Sequence, residues 1–98
     1  MGFIQIIEYR TKKVDEFDAL LEEWLANSAD WRTSTRAVRT KDRDAADTYA
    51  QIVEFPSFEK AMENSGRPET KEFADKLAAI CEGPASFRNL DVLSIEEM

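Results

Sequence analysis

The pattern of apolar residues along the first third of the chain changes from a strand period to a helix period. Residues Phe3–Arg10 are rich in isoleucine and aromatic side chains, which indicates a β-strand with apolar residues on both alternate faces. Apolar residues then recur at i, i+3, i+4, i+7 and i+8, namely Phe17, Leu20, Leu21, Trp24 and Leu25. This spacing predicts a helix from about Asp15 to Asn27 or Ser28, with acidic residues at its positive N-terminal end.

Two further strands follow this helix. Residues 33–40 are β-branched without a breaker, and residues 48–55 alternate as a strand does. The polar segment 41–47 between them predicts a loop or hairpin turn. Pro56 ends the later strand, because proline cannot donate to a β-ladder. The segment 41–47 contains three closely spaced carboxylates, in the run Asp42 to Asp47, but it lacks the glycine and terminal glutamate of a calcium loop.

The last third of the chain predicts two helices and a final strand. Ser57 suits the N-cap of a short helix that Gly66 closes in the left-handed conformation. Pro68 suits the first turn of a second helix, which Gly83 and Pro84 end. Residues 87–95 then read as the last strand.

The predicted order is therefore β-α-β-β-α-α-β. A four-stranded antiparallel sheet with the helices on one face satisfies this order with short connections, which is a ferredoxin-like α+β fold. Residues 1–98 contain no linker, repeat or low-complexity tract, so we expect a single domain.

Strand alternation leaves two sets of side chains, one for the helices and one for the opposite face. We expect the set with fewer residues to lie beneath the helices: Ile4, Ile6, Ala50, Ile52, Leu90 and Val92. The set expected on the opposite face is Phe3, Gln5, Ile7, Tyr9, Tyr49, Gln51, Val53, Phe55, Phe87, Asn89, Asp91 and Leu93. A face this apolar is rarely left in water, so two copies are expected to close on one another as a homodimer.

Polar side chains lie among the rings of this second set, a mixture typical of small-molecule cavities. The candidate ligand-binding residues are Tyr9, Tyr49, Gln51, Phe87, Asn89, Asp91 and Trp31. An alternative is that the polar members hydrogen-bond one another across a packed dimer interface. Trp31 either covers the end of the first helix or lines the cavity mouth. No catalytic residue is assigned.

Composition and charge exclude several kinds of function. Twenty acidic and 13 basic residues give a net charge of −7, which argues against nucleic acid and anionic membranes as partners. The chain has no histidine, so Ser/His and Cys/His catalysis and haem ligation by imidazole are excluded. One cysteine, Cys81, predicts a buried structural thiol and no zinc site. We therefore expect no metal and no cofactor.

Location follows from the same reading of the chain. The N-terminus lacks the basic region and cleavage site of a signal peptide, and no apolar run reaches the ~20 residues of a membrane span. A cytoplasmic protein is expected.

Two segments carry a resemblance to a known family. Residues 53–62, VEFPSFEKAM, and 67–73, RPETKEF, resemble the dimeric α+β barrel superfamily, nearest the antibiotic-biosynthesis-monooxygenase-like group. The resemblance implies a homodimer and a cofactor-independent monooxygenase acting on a small aromatic molecule. Two frequent histidine positions of that group are Asn64 and Glu69 here, which argues against its haem-degrading branch. The alternative is a non-catalytic dimeric module that senses a ligand or stabilises an assembly.

Overall fold

The computed structural model describes residues 2–98 and contains four strands and three helices in the predicted order. The elements are β1 (Phe3–Arg10), α1 (Val14–Asn27), β2 (Arg36–Lys41), β3 (Thr48–Phe55), α2 (Phe58–Ser65), α3 (Pro68–Ile80) and β4 (Ser86–Asp91). The predicted α+β, ferredoxin-like fold is confirmed. None of the helices described is long and apolar enough to cross a membrane.

The four strands form one antiparallel sheet in the order β2-β3-β1-β4. β1 pairs with β3 over its whole length, from Phe3 opposite Phe55 to Arg10 opposite Thr48. On its other edge β1 pairs with β4. Each strand–helix–strand connection therefore skips over one strand, as in a split βαβ unit.

Two strands are shorter than the sequence predicts, for different reasons. β2 begins at Arg36 rather than residue 33. Thr33 is instead bound to α2, where its hydroxyl donates to the Lys60 carbonyl at 2.6 Å and its N–H to Asn64 Oδ1 at 3.3 Å. β4 ends at Asp91 rather than residue 95, because Asp91 lies opposite Phe3, the first residue of β1.

Only the N-terminal end of α2 follows the predicted chemistry. The Ser57 hydroxyl accepts a hydrogen bond from the Lys60 N–H at 3.2 Å, which confirms the N-cap. The expected left-handed Gly66 is wrong, since its φ is −77°. The chain turns at Arg67 instead, whose extended backbone is the conformation that a following proline favours.

The helices cover the face of the sheet that we expected to be free of them. The cross-strand register gathers Phe3, Ile7 and Tyr9 of β1 with Tyr49, Gln51, Val53 and Phe55 of β3 and with Phe87, Asn89 and Asp91 of β4. Phe3 and Phe55 pack with Ala61 of α2, and the Tyr9 ring stacks on Phe17 of α1 with centroids 4.2 Å apart. We call this set, with Gln5 and the β2 residues Ala37 and Arg39, the helix-covered face.

The opposite side of the sheet, the helix-free face, carries Ile4, Ile6, Glu8, Arg36, Val38, Ile52, Glu54, Arg88 and Leu90. The expectation that Ile4, Ile6, Ile52 and Leu90 lie beneath the helices is therefore wrong. The physical reason is charge: the helix-free set includes Glu8, Glu54 and Arg88, which would lose their hydration beneath the helices, whereas the aromatic set on β1 and β3 is uncharged. On the helix-free face these charged residues remain in contact with water.

The core between sheet and helices is divided between two ends. At one end Phe3, Phe55 and Ala61 are buried, and at the other Tyr9, Phe17 and Leu21 are buried. Between them Gln5, Ile7 and Val53 are only half-buried, and α3 contributes no fully buried residue. Apart from the buried Gln51, the middle of the layer is thus less completely buried than its ends.

Thr11, which is fully buried, joins several segments just beyond β1. Its N–H donates to the Asp47 carbonyl at 3.0 Å in the β2–β3 loop, and its hydroxyl donates to the Ile80 carbonyl at 2.7 Å at the end of α3. The same hydroxyl accepts from the Lys13 N–H at 3.0 Å, just before α1. The backbone and side chain of one residue therefore hold three connections together.

Candidate ligand-binding site

Six of the seven predicted ligand-binding residues share the helix-covered face. Tyr9 lies opposite Tyr49, Ile7 lies between Gln51 and Phe87, and Gln5 lies opposite Asn89. Asp91 is in line with Phe3 at the end of β4. The side chains therefore face the space between sheet and helices, and not a second sheet as the dimer hypothesis assumed. Their role in binding stays a prediction.

The tyrosine pair forms a packed wall at one end of this space. Tyr9 is buried between Phe17 and Tyr49, with the two tyrosine rings 5.7 Å apart and nearly parallel. Burial raises the pKa of Tyr9, because the phenolate would lose its hydration, and the Arg39 guanidinium opposes this only in part. Tyr9 is therefore a neutral phenol at physiological pH.

Gln51 is the most deeply buried amide of the sheet. It is 8% exposed and lies at the centre of β3, with Ile7 on one neighbouring strand and Arg39 on the other. The Arg39 side chain turns to α1, where it forms an ion pair with Asp18 and lies 5.7 Å from the centre of the Phe17 ring. An amide can both donate and accept hydrogen bonds, so Gln51 offers polar recognition inside an apolar layer.

The residues of β4 form an open rim. Phe87 is 58% exposed, although it lies on the helix-covered face beside Ile7. Asn89 accepts a hydrogen bond from the Gln5 amide at 3.1 Å, and Asp91 is exposed. The layer is thus closed at the tyrosine pair and accessible along β4.

Trp31 lies apart from the other six residues, beside the helices. It meets Trp24 of α1 edge to face with ring centres 6.2 Å apart, and the Arg67 guanidinium lies 4.3 Å above its ring. Trp24 in turn stacks on Phe73 of α3 at 5.4 Å. Trp31 therefore belongs to a second cluster where α1 ends and α3 begins.

Sequence reasoning missed Arg67 and Thr70, which extend this cluster. Half-buried positions recur along α3 at Thr70, Phe73, Leu77 and Ile80, and the N-cap Arg67 continues this helical stripe. The apolar members Phe73, Leu77 and Ile80 show the spacing of one helix face in the sequence itself. Continuing toward the N-terminus from Phe73 in steps of three residues would have identified Thr70 and then Arg67.

Two clefts lie away from the predicted residues. One of about 90 Å³ lies between α1 and α3 and is lined by Leu20, Trp24 and Phe73 among others. The other is an open cleft of about 510 Å³ at the end of the sheet, lined in part by Phe3, Phe55 and Ile95. None of the seven predicted residues lines either cleft, so a ligand entering between the layers would displace side chains at the β4 rim.

Metal-binding and thiol chemistry find little support in the described residues. Residues 2–98 contain no group of three histidine, cysteine or carboxylate side chains arranged to hold a metal ion. Cys81 is half-buried rather than fully buried, and burial raises the pKa of its thiol. The protonated thiol is a poor nucleophile.

Comparison with known proteins identifies the fold. No family model and no curated protein matches the chain. Among solved structures, SnoaB, a cofactor-independent oxygenase from Streptomyces nogalater, superposes with a TM-score of 0.80 at 14% identity, over 96% of this chain and 95% of that one. A Caulobacter crescentus protein provisionally named an antibiotic biosynthesis monooxygenase gives 0.82 at 12% identity, over 95% and 91%.

A third structure, Rv0793 from Mycobacterium tuberculosis, gives a TM-score of 0.79 at 12% identity and covers 99% of this chain and all of that one. The chain therefore has the ferredoxin-like fold of the antibiotic-biosynthesis-monooxygenase-like proteins, as the sequence resemblance implied.

Proposed function

We propose that this protein binds a small aromatic molecule between its sheet and helices, as a homodimer, and oxygenates it without a cofactor. One observation carries the proposal: the middle of the helix-covered face, where Ile7 and Val53 are half-buried, holds the buried Gln51 amide two residues along β3 from Tyr49. Sites for small molecules combine an apolar lining with a few polar groups in just this way.

The ligand would enter over the β4 rim and lie against the middle of the sheet. Tyr49 and Phe87 offer ring faces, and aromatic contacts add about 0.5–1.5 kcal/mol beyond the burial of area. Gln51 and Asn89 would orient polar groups of the ligand through hydrogen bonds. The buried Tyr9 would support the wall rather than move.

The likeness to a cofactor-independent oxygenase suggests the reaction. An electron-rich phenol reacts with O₂ to give a quinone and water, so that one oxygen atom enters the ring and the other leaves as water. The phenolate is the reductant and O₂ the oxidant, and the balance needs no further electron source. The protein's contribution would be to stabilise the anion, for which the Gln51 amide N–H is suitably placed in a poorly hydrated layer.

The helix-free face supplies the surface for the second copy. Val38, Ile52 and Ile6 lie in one row across three strands, and Leu90 lies opposite Ile4. Charged residues of both signs flank this row, including the pair of Arg36 Nε and Glu54 Oε2 at 2.5 Å. A self-complementary apolar patch with charges of both signs suits a two-fold symmetric interface.

The chemistry can be tested with Gln51→Leu, which keeps the size of the side chain and removes the amide. Binding of naphthols by isothermal titration calorimetry, and O₂ uptake against quinone formation with a chelator present, should both be measured. We expect wild type to bind, with Gln51→Leu weakening binding about fivefold, the value of a neutral hydrogen bond.

The matched control is Thr40→Val, which removes one hydroxyl from the opposite side of the sheet, where Thr40 lies beside Ala50. Equal loss in both variants would contradict a site on the helix-covered face. Binding without O₂ uptake would favour the ligand-sensing alternative, and absence of binding by any phenol would refute the proposal.

A further inference from the structure

Three buried polar atoms without a hydrogen-bond partner lie where α3 begins. Trp24 Nε1, Arg67 Nε and Thr70 Oγ1 are each shielded from solvent, and none is paired within residues 2–98. Buried polar groups in folded proteins are nearly always hydrogen-bonded, so each such atom requires an explanation. Trp24 lies on α1, Thr70 on α3 and Arg67 at the N-cap of α3, so among the described residues this place lacks the hydrogen-bond partners of three atoms.

The three residues belong to one cluster. The Arg67 guanidinium lies 4.3 Å above Trp31, whose ring meets Trp24 edge to face. Thr70 lies one turn beyond Arg67, and Phe73, the next residue of the stripe, stacks on Trp24. Because residues three apart share a side of a helix, Arg67 and Thr70 lie on the side of α3 that faces Trp24.

The donors define the chemistry of the missing partner. Indole and guanidinium nitrogens can only donate hydrogen bonds, so their partner must be an acceptor. A carboxylate has about four lone-pair sites on two oxygens, and its hydrogen bond to a charged guanidinium is roughly twice as strong as a bond between neutral groups. A carboxylate can therefore satisfy all three groups at once.

Arg67 supplies the positive charge that would face an anion. Arg67 uses Nη2 to contact the exposed Glu69 carboxylate at 3.3 Å, which leaves Nε directed to the buried side. The first turn of α3 has no side-chain cap, so its positive end is available as well. The nearby Glu23 and Glu72 carboxylates both lie within 4 Å of Lys76 Nζ, which balances part of their charge.

We infer that Trp24, Arg67 and Thr70 bind the carboxylate of an aromatic acid. The inference rests on the proposed function in one respect: the ring system of the ligand occupies the space between sheet and helices. The carboxylate then anchors the ligand at the positive end of α3. The substrate class is thereby narrowed from aromatic molecules in general to aromatic carboxylates.

Two probes of nearly equal shape test the inference on the whole protein. Isothermal titration calorimetry should compare 2-naphthoate with the neutral 2-naphthamide at pH 7.5. We expect naphthoate to bind at least about tenfold more tightly, because hydrogen bonds to a charged group are roughly twice as strong as neutral ones. Arg67→Met should remove that preference, and Thr70→Val should reduce naphthoate binding about threefold.

The matched control is Arg32→Met. Arg32 also lies over Trp24, at 5.8 Å, but its Nη1 already donates to the Leu25 carbonyl and the Ser28 hydroxyl. Its loss removes the same charge without removing an unpaired donor, so naphthoate binding should change less than about twofold. Equal losses in Arg67→Met and Arg32→Met would overturn the inference.

A spectroscopic readout covers the case in which Arg67→Met does not fold. The chain has two tryptophans, so its proton–nitrogen spectrum contains two indole N–H signals, which Trp31→Phe assigns. Naphthoate should shift the Trp24 signal and naphthamide should not. Equal affinity for both probes with no selective shift refutes the carboxylate site and leaves the proposed function standing, whereas no binding of either probe refutes both.

Discussion

Both faces of the sheet carry apolar residues but use them differently. On β1 the helix-covered face has Phe3, Ile7 and Tyr9, and the helix-free face has Ile4 and Ile6. The first set is buried through rings that reach the helices, as in the stack of Tyr9 on Phe17. The second set is flat and half-exposed and is interrupted by charges. The comparison shows that charges placed among apolar residues, as well as hydrophobicity, decide which face the helices cover.

The sharpest way to break this comparison is to place a charge on adjacent residues of β3. Val53 packs against the buried cluster of Phe3, Phe55 and Ala61, whereas Ile52 points to the helix-free face. Val53→Asp should unfold the protein, because an unpaired charge inside the core costs several kcal/mol. Ile52→Asp should leave it folded and dissociate the proposed dimer into 11.2 kDa chains.

Circular dichroism and sedimentation at micromolar concentration measure both outcomes. A folded Val53→Asp would contradict the assignment of the helix-covered face. An Ile52→Asp variant that still sediments as a dimer would contradict the proposed interface.

A smaller effect is expected from removing apolar volume on each side. Phe17→Ala should lower the free energy of unfolding by about 3–5 kcal/mol, the usual cost of deleting a buried ring. Val38→Ala, on the helix-free face, should lower the free energy of unfolding by less than about 1 kcal/mol within one protomer. Urea unfolding at two protein concentrations checks this, since only the loss at Val38 should depend on concentration. Equal, concentration-independent losses would refute the distinction.

The smallest expected effect is a pH dependence that belongs to the helix-covered face alone. The pKa of Tyr9 is raised in the folded protein by burial. Between the unfolded pKa of about 10 and the higher folded one, the folded state binds more protons, so stability is complete below pH 10 and falls as pH rises above it. Unfolding curves from pH 8 to 11 should show this decline in wild type and less of it in Tyr9→Phe. Tyr49→Phe is the control, and an equal change there would contradict the prediction.

The element order could be predicted from the sequence because each element carries a local signal. Residues 3–10 and 48–55 are strands with the predicted bounds, and Ser57 and Pro68 begin helices as their chemistry requires. The left-handed conformation predicted for Gly66 was wrong, because the backbone there depends on how α2 meets α3. The end of β4 depends on where its partner β1 begins, which no residue of β4 reveals.

The choice of face could not be predicted from alternation, since both sets on β1 and β3 are apolar. A usable signal was nevertheless present. Glu8, Glu54 and Arg88 all alternate with the isoleucines and leave the aromatic set nearly free of charge. For the candidate site, the register grouped six predicted residues correctly on one face. Trp31 contacts Arg67 at the start of α3. Strand alternation gives no information about contacts between segments so far apart in the sequence.

The bonds of Thr11 have a consequence for the order in which this chain folds. Its hydroxyl is joined to Ile80, 69 positions away in sequence, and its N–H to Asp47 in another loop. Contacts between residues so distant in sequence form slowly, because a long loop must close before they are made. Neither bond can be complete until α3 has docked and the β2–β3 hairpin has turned. The junction at Thr11 should therefore be among the last parts to form as the protein folds.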